Sequence, residues 1–349
     1  MHHRSKFFST LALVLVPLAV LLLVLEGGFR IAGYTPYVFE RNESDYVRHD
    51  SLLEYTYAKN LDVPVWNENY QVEVRTNSLG FRDEEWNINP DANNILVLGD
   101  SFTAGFGLPK EKRWADIFED SLSGRNNLHP KIYNAAISGY SLQQMAAGAS
   151  GLFSKVQPQK VIIGVYLAGL ERMKDPYIYF EGYTVRKSQV KYVGKKENQL
   201  YFFLFRNEFL QNREYSLLKH SALYNFVQTR IRYLAYNRQK NEMISNNEAL
   251  AKEAGYLLSE LSGKLKDAGA EVIVLPVIQH NAEGVFDPYV LKAYEIVKEQ
   301  MANQDIDFVD LLPAFKIEVE KGANLWINGD SHWNERAHQL AAEELLKDF

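Results

Sequence analysis

A serine that follows a predicted buried strand is the first residue in this sequence with the chemistry of a nucleophile. Ser101 lies in the run Gly99–Phe102, directly after the apolar stretch Ile95–Leu98 and before the glycine-rich turn Ala104–Gly107. Open α/β sheets bind their ligands at the carboxyl ends of the strands. A serine at that position can present its hydroxyl to a substrate while its own backbone N–H faces a developing oxyanion.

A base and a carboxylate that would activate such a serine occur together near the C-terminus. A serine hydroxyl is a poor nucleophile until a base takes its proton, and the base needs a carboxylate on its other nitrogen. Asp330 and His332 lie in the loop that precedes a predicted helix over Glu335–Leu346. We therefore predict a catalytic triad of Ser101, His332 and Asp330. A second Gly-Asp-Ser ends at Ser331 but follows no buried strand, so Ser331 is not expected to be the nucleophile.

The elements that must position these residues alternate between strands and helices. Apolar runs predict buried strands at Ile95–Leu98, Val161–Val165, Val272–Leu275 and Ile306–Val309. Apolar residues at helical spacing predict helices over Trp114–Leu122 and Leu250–Leu265, and the second is expected to end near Gly269. This alternation is typical of a parallel sheet that is covered by helices on both faces.

The N-terminus contains one stretch that is long and apolar enough to cross a bilayer. Residues 7–25 carry no charge, and a helix of that length rises about 28 Å, close to the thickness of the hydrocarbon core. Arg4 and Lys6 precede it, so we expect a cytoplasmic N-terminus and an extracytoplasmic catalytic domain, which is periplasmic in a Gram-negative cell. A cleaved signal peptide is the alternative, but the exit over Leu23–Phe29 has no small-x-small pattern. The sequence therefore predicts an uncleaved, single-pass signal anchor.

Composition along the chain predicts three segments. Residues 1–30 form the cytoplasmic N-terminus and the transmembrane anchor, and residues 31–90 form a neck with short β elements, including a strand around Val72. Residues 91–349 form the α/β domain.

An insertion over residues 176–245 interrupts this domain. A hairpin is predicted from Tyr183–Val193 and Leu200–Phe205, and a helix around Ser216–Leu234. Two interpretations stay open: the insertion shapes or covers the site, or it is a structural addition.

The overall composition excludes several functional classes. The chain has 349 residues, of which 46% are hydrophobic and 23% charged, as is typical of a globular protein. Its formal net charge of −6 gives no electrostatic reason to expect nucleic-acid binding. It has no cysteine, which excludes disulfides, thiolate nucleophiles and cysteine-ligated metals. The histidines form no H-E-x-x-H motif, and His338 is interpreted as a solvated or capping residue, so no metal and no cofactor are predicted.

Three motifs taken together resemble those of the SGNH/GDSL hydrolases. They are the block Ile95–Gly107, the segment Asn134–Gly139 and the pair Asp330-x-His332. The resemblance covers residues 91–349. It implies a flavodoxin-like three-layer α/β/α fold with a parallel sheet, and the hydrolysis or transfer of acyl esters.

The resemblance also implies a role for each site residue. Ser101 would be the nucleophile, His332 the general base and Asp330 the carboxylate that orients it. The backbone N–H groups of Ser101 and Gly139 would donate to the oxyanion. The family's third block ends in an asparagine whose amide is a further donor, but Ala168 stands at that position here. Loss of one such donor typically costs about 3–4 kcal/mol of transition-state stabilisation.

Ala168 leaves three interpretations open: a slow esterase, a site with another donor, or an inactive relative. Gln143 and Gln144 follow Gly139 and are candidate replacement donors. We expect a serine acyl or acetyl esterase that forms an acyl-enzyme and acts on an acylated carbohydrate or lipid of the cell envelope. The alternatives are an O-acyltransferase that acts on an envelope carbohydrate, and a catalytically inactive binding or assembly protein.

Overall fold

The computed structural model describes most of the chain and divides it into two compact units. The described residues are 2–33, 47–66, 70–124, 130–180, 183–187, 221–279, 285–328, 330–347 and 349. One unit comprises Met1–Phe39 and Lys195–Asn241, and the other comprises Glu40–Gly194 and Glu242–Phe349. All the predicted site residues belong to the second unit.

Two antiparallel hairpins lie within the predicted neck. Strand β1 (Val47–Asp50) pairs with β2 (Glu54–Tyr57), and β3 (Asp62–Trp66) pairs with β4 (Gln71–Arg75). The strand predicted around Val72 is β4, in which Val72 is buried between the exposed Gln71 and Glu73. The sequence prediction misses the other three strands, because runs of four or five residues show too little alternation to be recognised.

A five-stranded parallel sheet forms the centre of the second unit. The remaining strands are β5 (Asn94–Leu98), β6 (Lys131–Asn134), β7 (Lys160–Tyr166), β8 (Tyr177–Phe180), β9 (Tyr183–Arg186), β10 (Glu271–Val277) and β11 (Asp307–Phe308). Five of them pair in parallel in the order β11-β10-β7-β5-β6. Counted in chain order within the sheet, this is the 2-1-3-4-5 arrangement of flavodoxin-like folds. The predicted flavodoxin-like parallel sheet is therefore confirmed.

The central strands are covered on both faces. Every residue of β5 is buried, as are all the inner residues of β7 and all but the first residue of β10. Continuous burial of this kind is what a parallel sheet between helices requires. Each fully buried Val, Leu or Ile side chain contributes about 1.5–3 kcal/mol. The ends of these strands are therefore firmly placed.

The helices account for the periodic segments of the sequence. They are α1 (His2–Ile31), α2 (Ser101–Ala104), α3 (Trp114–Ser123), α4 (Leu142–Val156), α5 (Ala222–Asp267), α6 (Pro288–Asn303), α7 (Leu311–Glu320) and α8 (Glu335–Leu345). The helix predicted around Ser216–Leu234, as far as it is described, and the one over Leu250–Leu265 are parts of the single helix α5. No glycine or proline lies between residues 235 and 249 to end it.

The predicted hairpin of the insertion falls largely outside the described residues. Tyr183–Arg186 pairs antiparallel with the preceding strand β8. The predicted partner Leu200–Phe205 lies outside the described residues, so its pairing and the interpretation of the insertion stay predictions.

Helix α1 is long and apolar enough to cross a membrane. Residues Ala12–Ile31 have a mean hydropathy of 2.4, and none of this stretch is buried against other described parts of the chain. Such a helix is either a membrane anchor or a signal sequence. Within the same unit, the Glu26 carboxylate accepts hydrogen bonds from the Ser221 hydroxyl and from the backbone N–H groups of Ala222 and Leu223. Glu26 therefore caps the first turn of α5.

Candidate active site

Ser101 is the first residue of α2 and follows β5 after two residues. The Asp100 side chain is the N-cap of this short helix, because its Oδ1 accepts a hydrogen bond from the backbone N–H of Phe102 at 3.1 Å. Gly99 is required here, because a Cβ at that position would lie 2.3 Å from the Thr103 Oγ1. Ser101 thus lies at the carboxyl edge of the sheet, as the sequence predicts.

The side chains of Ser101, His332 and Asp330 form a continuous hydrogen-bonded line. The His332 Nε2 lies 2.8 Å from the Ser101 Oγ, and the His332 Nδ1 lies 2.6 Å from the Asp330 Oδ1. A carboxylate accepts and does not donate, so Nδ1 donates to Asp330 and the neutral Nε2 accepts from the serine hydroxyl. The Asp330 Oδ1 also accepts from the His332 backbone N–H at 2.9 Å. The structure therefore brings together the three residues of the predicted triad.

Asp330 is held in its ionised form. Burial raises the pKa of its carboxyl, but the hydrogen bonds that it accepts from the His332 ring and from backbone N–H groups outweigh this and bring the pKa below its ordinary value. The carboxylate is therefore negative at neutral pH and stabilises an imidazolium when one forms at His332.

Two aromatic rings and a polar relay hold the histidine loop. The His332 ring packs between Phe102 and Phe106, with centroid distances of 4.8 Å and 4.4 Å. At the carboxyl end of β7 the Tyr166 hydroxyl donates to the Gln279 Oε1 at 2.8 Å, and the Gln279 amide donates to the Ser331 carbonyl at 2.8 Å. These contacts fix the backbone between Asp330 and His332. The Ser331 residue itself is exposed.

A buried ion pair lies directly beside the serine. The Asp100 Oδ2 accepts a hydrogen bond from the Arg172 Nη1 at 2.8 Å, and the Asp100 side chain is fully buried. Burial raises the pKa of Asp100, and the charge of Arg172 opposes that shift. An uncompensated carboxylate next to Ser101 would repel a developing oxyanion. Arg172 supplies the opposite charge.

Gly139, the predicted oxyanion donor, follows β6 in a tight loop. Its φ of +83° favours glycine, and a Cβ there would lie 2.7 Å from the Tyr55 hydroxyl oxygen. That hydroxyl donates to the Ser138 carbonyl at 2.7 Å, and the Tyr57 hydroxyl accepts from the Ser138 N–H at 2.9 Å. Residues of the first neck hairpin thus hold this loop. The role of the Gly139 N–H stays a prediction.

Ala168 lies in a 3-10 segment, Leu167–Met173, that follows β7. Its methyl group cannot donate a hydrogen bond. The predicted substitutes are engaged elsewhere: the Gln143 amide donates to the Met173 carbonyl, and the Gln144 amide donates to the carbonyls of Leu53 and Tyr177. We therefore do not propose either glutamine as an oxyanion donor.

His338 has a structural role in place of a solvated one. It is buried in α8, and its Nδ1 accepts a hydrogen bond from the backbone N–H of Trp114, the first residue of α3, at 3.1 Å. The expectation of a solvated histidine is therefore wrong. His338 does make a capping contact, but with the first residue of α3 and not with its own helix. Among the described residues, no group of three or more His, Asp or Glu side chains is arranged to hold a metal ion.

Comparison with known families decides the assignment. The sequence model of the GDSL-like Lipase/Acylhydrolase family matches residues 95–345. The chain belongs to this family. It is accordingly a hydrolase of the class that acts on ester bonds. The matched range contains every predicted site residue from Ser101 to His332. A search of curated proteins gives no significant match.

Several solved structures are similar to this GDSL-family chain. A catalytic mutant of Axe2, an acetylxylan esterase from Geobacillus stearothermophilus, has 17% identity and a TM-score of 0.42, and the match covers 73% of this chain and 93% of that one. A lipolytic G-D-S-L protein from Veillonella parvula has 14% identity and a TM-score of 0.41, over 73% and 97% of the two chains. The esterase EstA from Pseudoalteromonas sp. has 14% identity and a TM-score of 0.40, over 73% and 95%.

Sequence reasoning misses several residues that shape the site, among them Arg172, Tyr55 and Tyr57. Arg172 belongs to no motif. Asp100 follows β5 and Arg172 follows β7, and the two side chains meet because these strands are neighbours in the sheet. Tyr55 and Tyr57 contact Ser138 from more than 80 positions earlier in the chain. The aromatic content of the neck is the only signal for them in the sequence.

Proposed function

We propose that this GDSL-family chain is a serine ester hydrolase in which Ser101 is the nucleophile. The observation that carries the proposal is the hydrogen-bonded line from the Ser101 Oγ through the His332 ring to Asp330. This is the arrangement of nucleophile, base and orienting carboxylate that activates a serine.

The proposed reaction has two halves. His332 Nε2 takes the proton as the Ser101 Oγ attacks the ester carbonyl carbon, and the N–H groups of Ser101 and Gly139 donate to the resulting oxyanion. His332 then gives this proton to the leaving alcohol oxygen, which breaks the ester bond and leaves an acyl group on Ser101. In the second half a water molecule, activated by His332, attacks the acyl-enzyme. The carboxylic acid leaves and the serine recovers its proton.

We further propose that the reaction takes place on the extracytoplasmic side, with residues 7–25 as an uncleaved anchor. The apolar helix α1 and the basic residues Arg4 and Lys6 before it support this orientation. The proposed substrate is an acylated carbohydrate or lipid of the cell envelope, which an enzyme held at this membrane would meet.

The two alternative functions have less support from the described residues. An O-acyltransferase would need the insertion to exclude water from the acyl-enzyme, and residues 188–220 lie outside the described part of the chain. An inactive binding protein has no need for a histidine that contacts both a serine hydroxyl and a carboxylate. The substitution at Ala168 is the one feature in its favour.

Labelling by a fluorophosphonate probe tests the proposed nucleophile. We expect the detergent-solubilised full chain to react with the probe, because an activated serine attacks the phosphorus atom. Ser101→Ala should abolish labelling, and Ser331→Ala, which removes the serine of the second Gly-Asp-Ser, should leave it intact. The opposite pattern would move the nucleophile to Ser331, and no labelling of the wild-type chain would favour an inactive protein.

A further inference from the structure

A cavity lies between the neck hairpins and the loops of the candidate active site. Its volume is about 60 Å³. Valine and tyrosine side chains of β1 to β4 form one wall, and the rest comes from residues that follow β5 and β6, from Arg82 and from Thr184 of β9. The lining residues are Val47, Tyr55, Tyr57, Val65, Val72, Val74, Arg82, Ala104, Phe106, Gly107, Ser138 and Thr184. Every residue of the first wall lies upstream of the range that matches the GDSL family.

Three lining residues are immediate neighbours of the three groups that would carry out the reaction. Ala104 lies three positions after Ser101 in α2, which places the two side chains on the same side of the helical turn. The Phe106 ring packs on the imidazole of His332. Ser138 precedes Gly139 in the chain. The cavity is therefore lined by neighbours of the nucleophile, the base and the predicted oxyanion donor, and not by these three residues themselves.

Most of the surface that lines the cavity is apolar. Val65 and Val72 are paired across the second hairpin, and both are buried. The polar groups in the lining already have partners within the protein. The Tyr55 hydroxyl donates to the Ser138 carbonyl and the Tyr57 hydroxyl donates to the Ser138 Oγ. The Arg82 guanidinium donates to the backbone carbonyls of Ala104, Gly105 and Leu108.

This chemistry suits a hydrocarbon chain better than a sugar. A sugar placed here would bury several hydroxyls against valines and against polar groups that are already satisfied, which is costly. A saturated chain loses no hydrogen bonds on entry. One water-sized group needs a space of about 10–15 Å³, so a cavity of about 60 Å³ has room for more than an acetyl group. An acetyl group would occupy only a small part of it.

We propose that this cavity binds the acyl chain of the substrate, and that the chain is a straight one longer than acetyl. The proposal rests on the proposed hydrolase function and adds a substrate class to it. The alcohol part of the ester would then lie on the other side of the carbonyl group, away from the neck. On this view the neck hairpins are a specificity element that the family domain itself does not contain.

A chain-length series of p-nitrophenyl esters tests the proposal on the detergent-solubilised full chain. Burial of one methylene contributes about fourfold to binding, so we expect kcat/KM for the butyrate ester, which has two more methylenes, to exceed that for the acetate ester by roughly fifteenfold. We expect kcat/KM to rise with chain length until the chain fills the cavity and then to rise no further. A wild-type enzyme that prefers acetate, or that hydrolyses all lengths equally, would overturn the proposal.

Substitutions in β4 test whether the preference for acyl-chain length comes from this cavity. Val72→Phe fills the space and should reduce the butyrate-to-acetate ratio of kcat/KM at least fivefold, whereas Val72→Ala enlarges it and should move the optimum to longer chains. Glu73→Phe adds the same ring on the exposed face of the strand and should keep the wild-type ratio. Equal ratios in wild type, Val72→Phe and Val72→Ala would show that the acyl chain binds elsewhere.

Fluorophosphonate labelling separates the two possible failures. If Ser101 is labelled and esters are hydrolysed without the expected length preference, the cavity proposal fails and the hydrolase stands. If neither labelling nor hydrolysis of any ester is found, the proposed function fails and the acyl pocket fails with it. Val72→Ala removes only two methyl groups, so we expect this variant to fold. It therefore tests the cavity even if the phenylalanine variant does not fold.

Discussion

Ala168 is the residue at which this chain departs from the pattern that it otherwise resembles. Its methyl group lies in the segment after β7 where the family resemblance implies an amide donor. We expect Ala168→Asn to raise kcat by up to about a hundredfold with little change in KM. The restored donor would stabilise the oxyanion of the transition state more than the neutral ester, and recovery of about 3 kcal/mol corresponds to that factor. Steady-state kinetics on one p-nitrophenyl ester measure the effect.

The gain at position 168 should depend on the catalytic base. In the double variant Ala168→Asn with His332→Ala, little oxyanion forms, so the amide should give no increase. An unchanged kcat in the single variant would mean that another group already donates. Arg172 would then be the first residue to test, because its buried Nε has no hydrogen-bond partner among the described residues.

At the residue scale, the sequence predicts the residues that would react, but it does not predict the residues that hold them in place. Ser101 and the Asp330-His332 pair are recognisable because each residue type is needed by the reaction and lies in a short motif. Arg172 and Tyr55 belong to no motif, and their contacts depend on which strands and loops become neighbours. Such long-range contacts leave no local signal that spacing or composition can reveal.

At the scale of elements, a buried histidine joins two helices. Burial, together with the charge of Arg113, lowers the pKa of His338 from 6.5 to about 3. The folded protein therefore keeps this imidazole neutral, while the unfolded chain takes up a proton below about pH 6.5. Stability is complete above that pH and falls as the pH is lowered towards 3, by about 1.4 kcal/mol per pH unit from this one group.

His338→Gln tests this pH dependence. Glutamine offers an acceptor oxygen for the Trp114 N–H but does not titrate. We expect the free energy of unfolding in urea to fall by about 2 kcal/mol less between pH 7 and pH 5 in this variant than in wild type. His49→Gln, which changes an exposed histidine in β1, is the matched control and should keep the wild-type slope. Parallel pH profiles for wild type and His338→Gln would contradict the assignment.

The elements that the sequence predicts correctly are those with many buried residues in one run. Strands β5, β7 and β10 are continuous apolar runs, and α3 has a clear apolar face, so each is visible without its neighbours. The three neck strands that escape prediction are short, and their partners determine which face is buried. The extent of α5 is also missed, because its middle is polar and has no marked helical period.

At the scale of the whole molecule, the matched family range of residues 95–345 is only part of the functional chain. The first neck hairpin supplies the tyrosines that hold the loop before Gly139, and both hairpins line the proposed acyl pocket. A family domain that is expressed without residues 47–75 would lose these contacts. We therefore expect the two neck hairpins to contribute to the active site.

The membrane orientation is a property of the complete chain and can be tested on it. We expect a reporter enzyme that is active only outside the cytoplasm to be active when fused after Phe349, because the basic residues Arg4 and Lys6 before the apolar helix favour a cytoplasmic N-terminus. A cytoplasm-restricted reporter at the same position should be inactive. The reverse result would place the catalytic domain inside the cell and exclude an extracytoplasmic substrate.

Retention of the N-terminus distinguishes an anchor from a cleaved signal sequence. An epitope tag placed before Arg4 should remain on the same polypeptide as the reporter, and the protein should stay in the membrane fraction after alkaline carbonate extraction. This is expected because about twenty apolar residues provide enough hydrophobic surface for stable insertion, and the exit of the helix has no small-x-small site. Loss of the tag with release of an active soluble enzyme would instead show that α1 is removed, and that the enzyme reaches its ester substrate without attachment to the membrane.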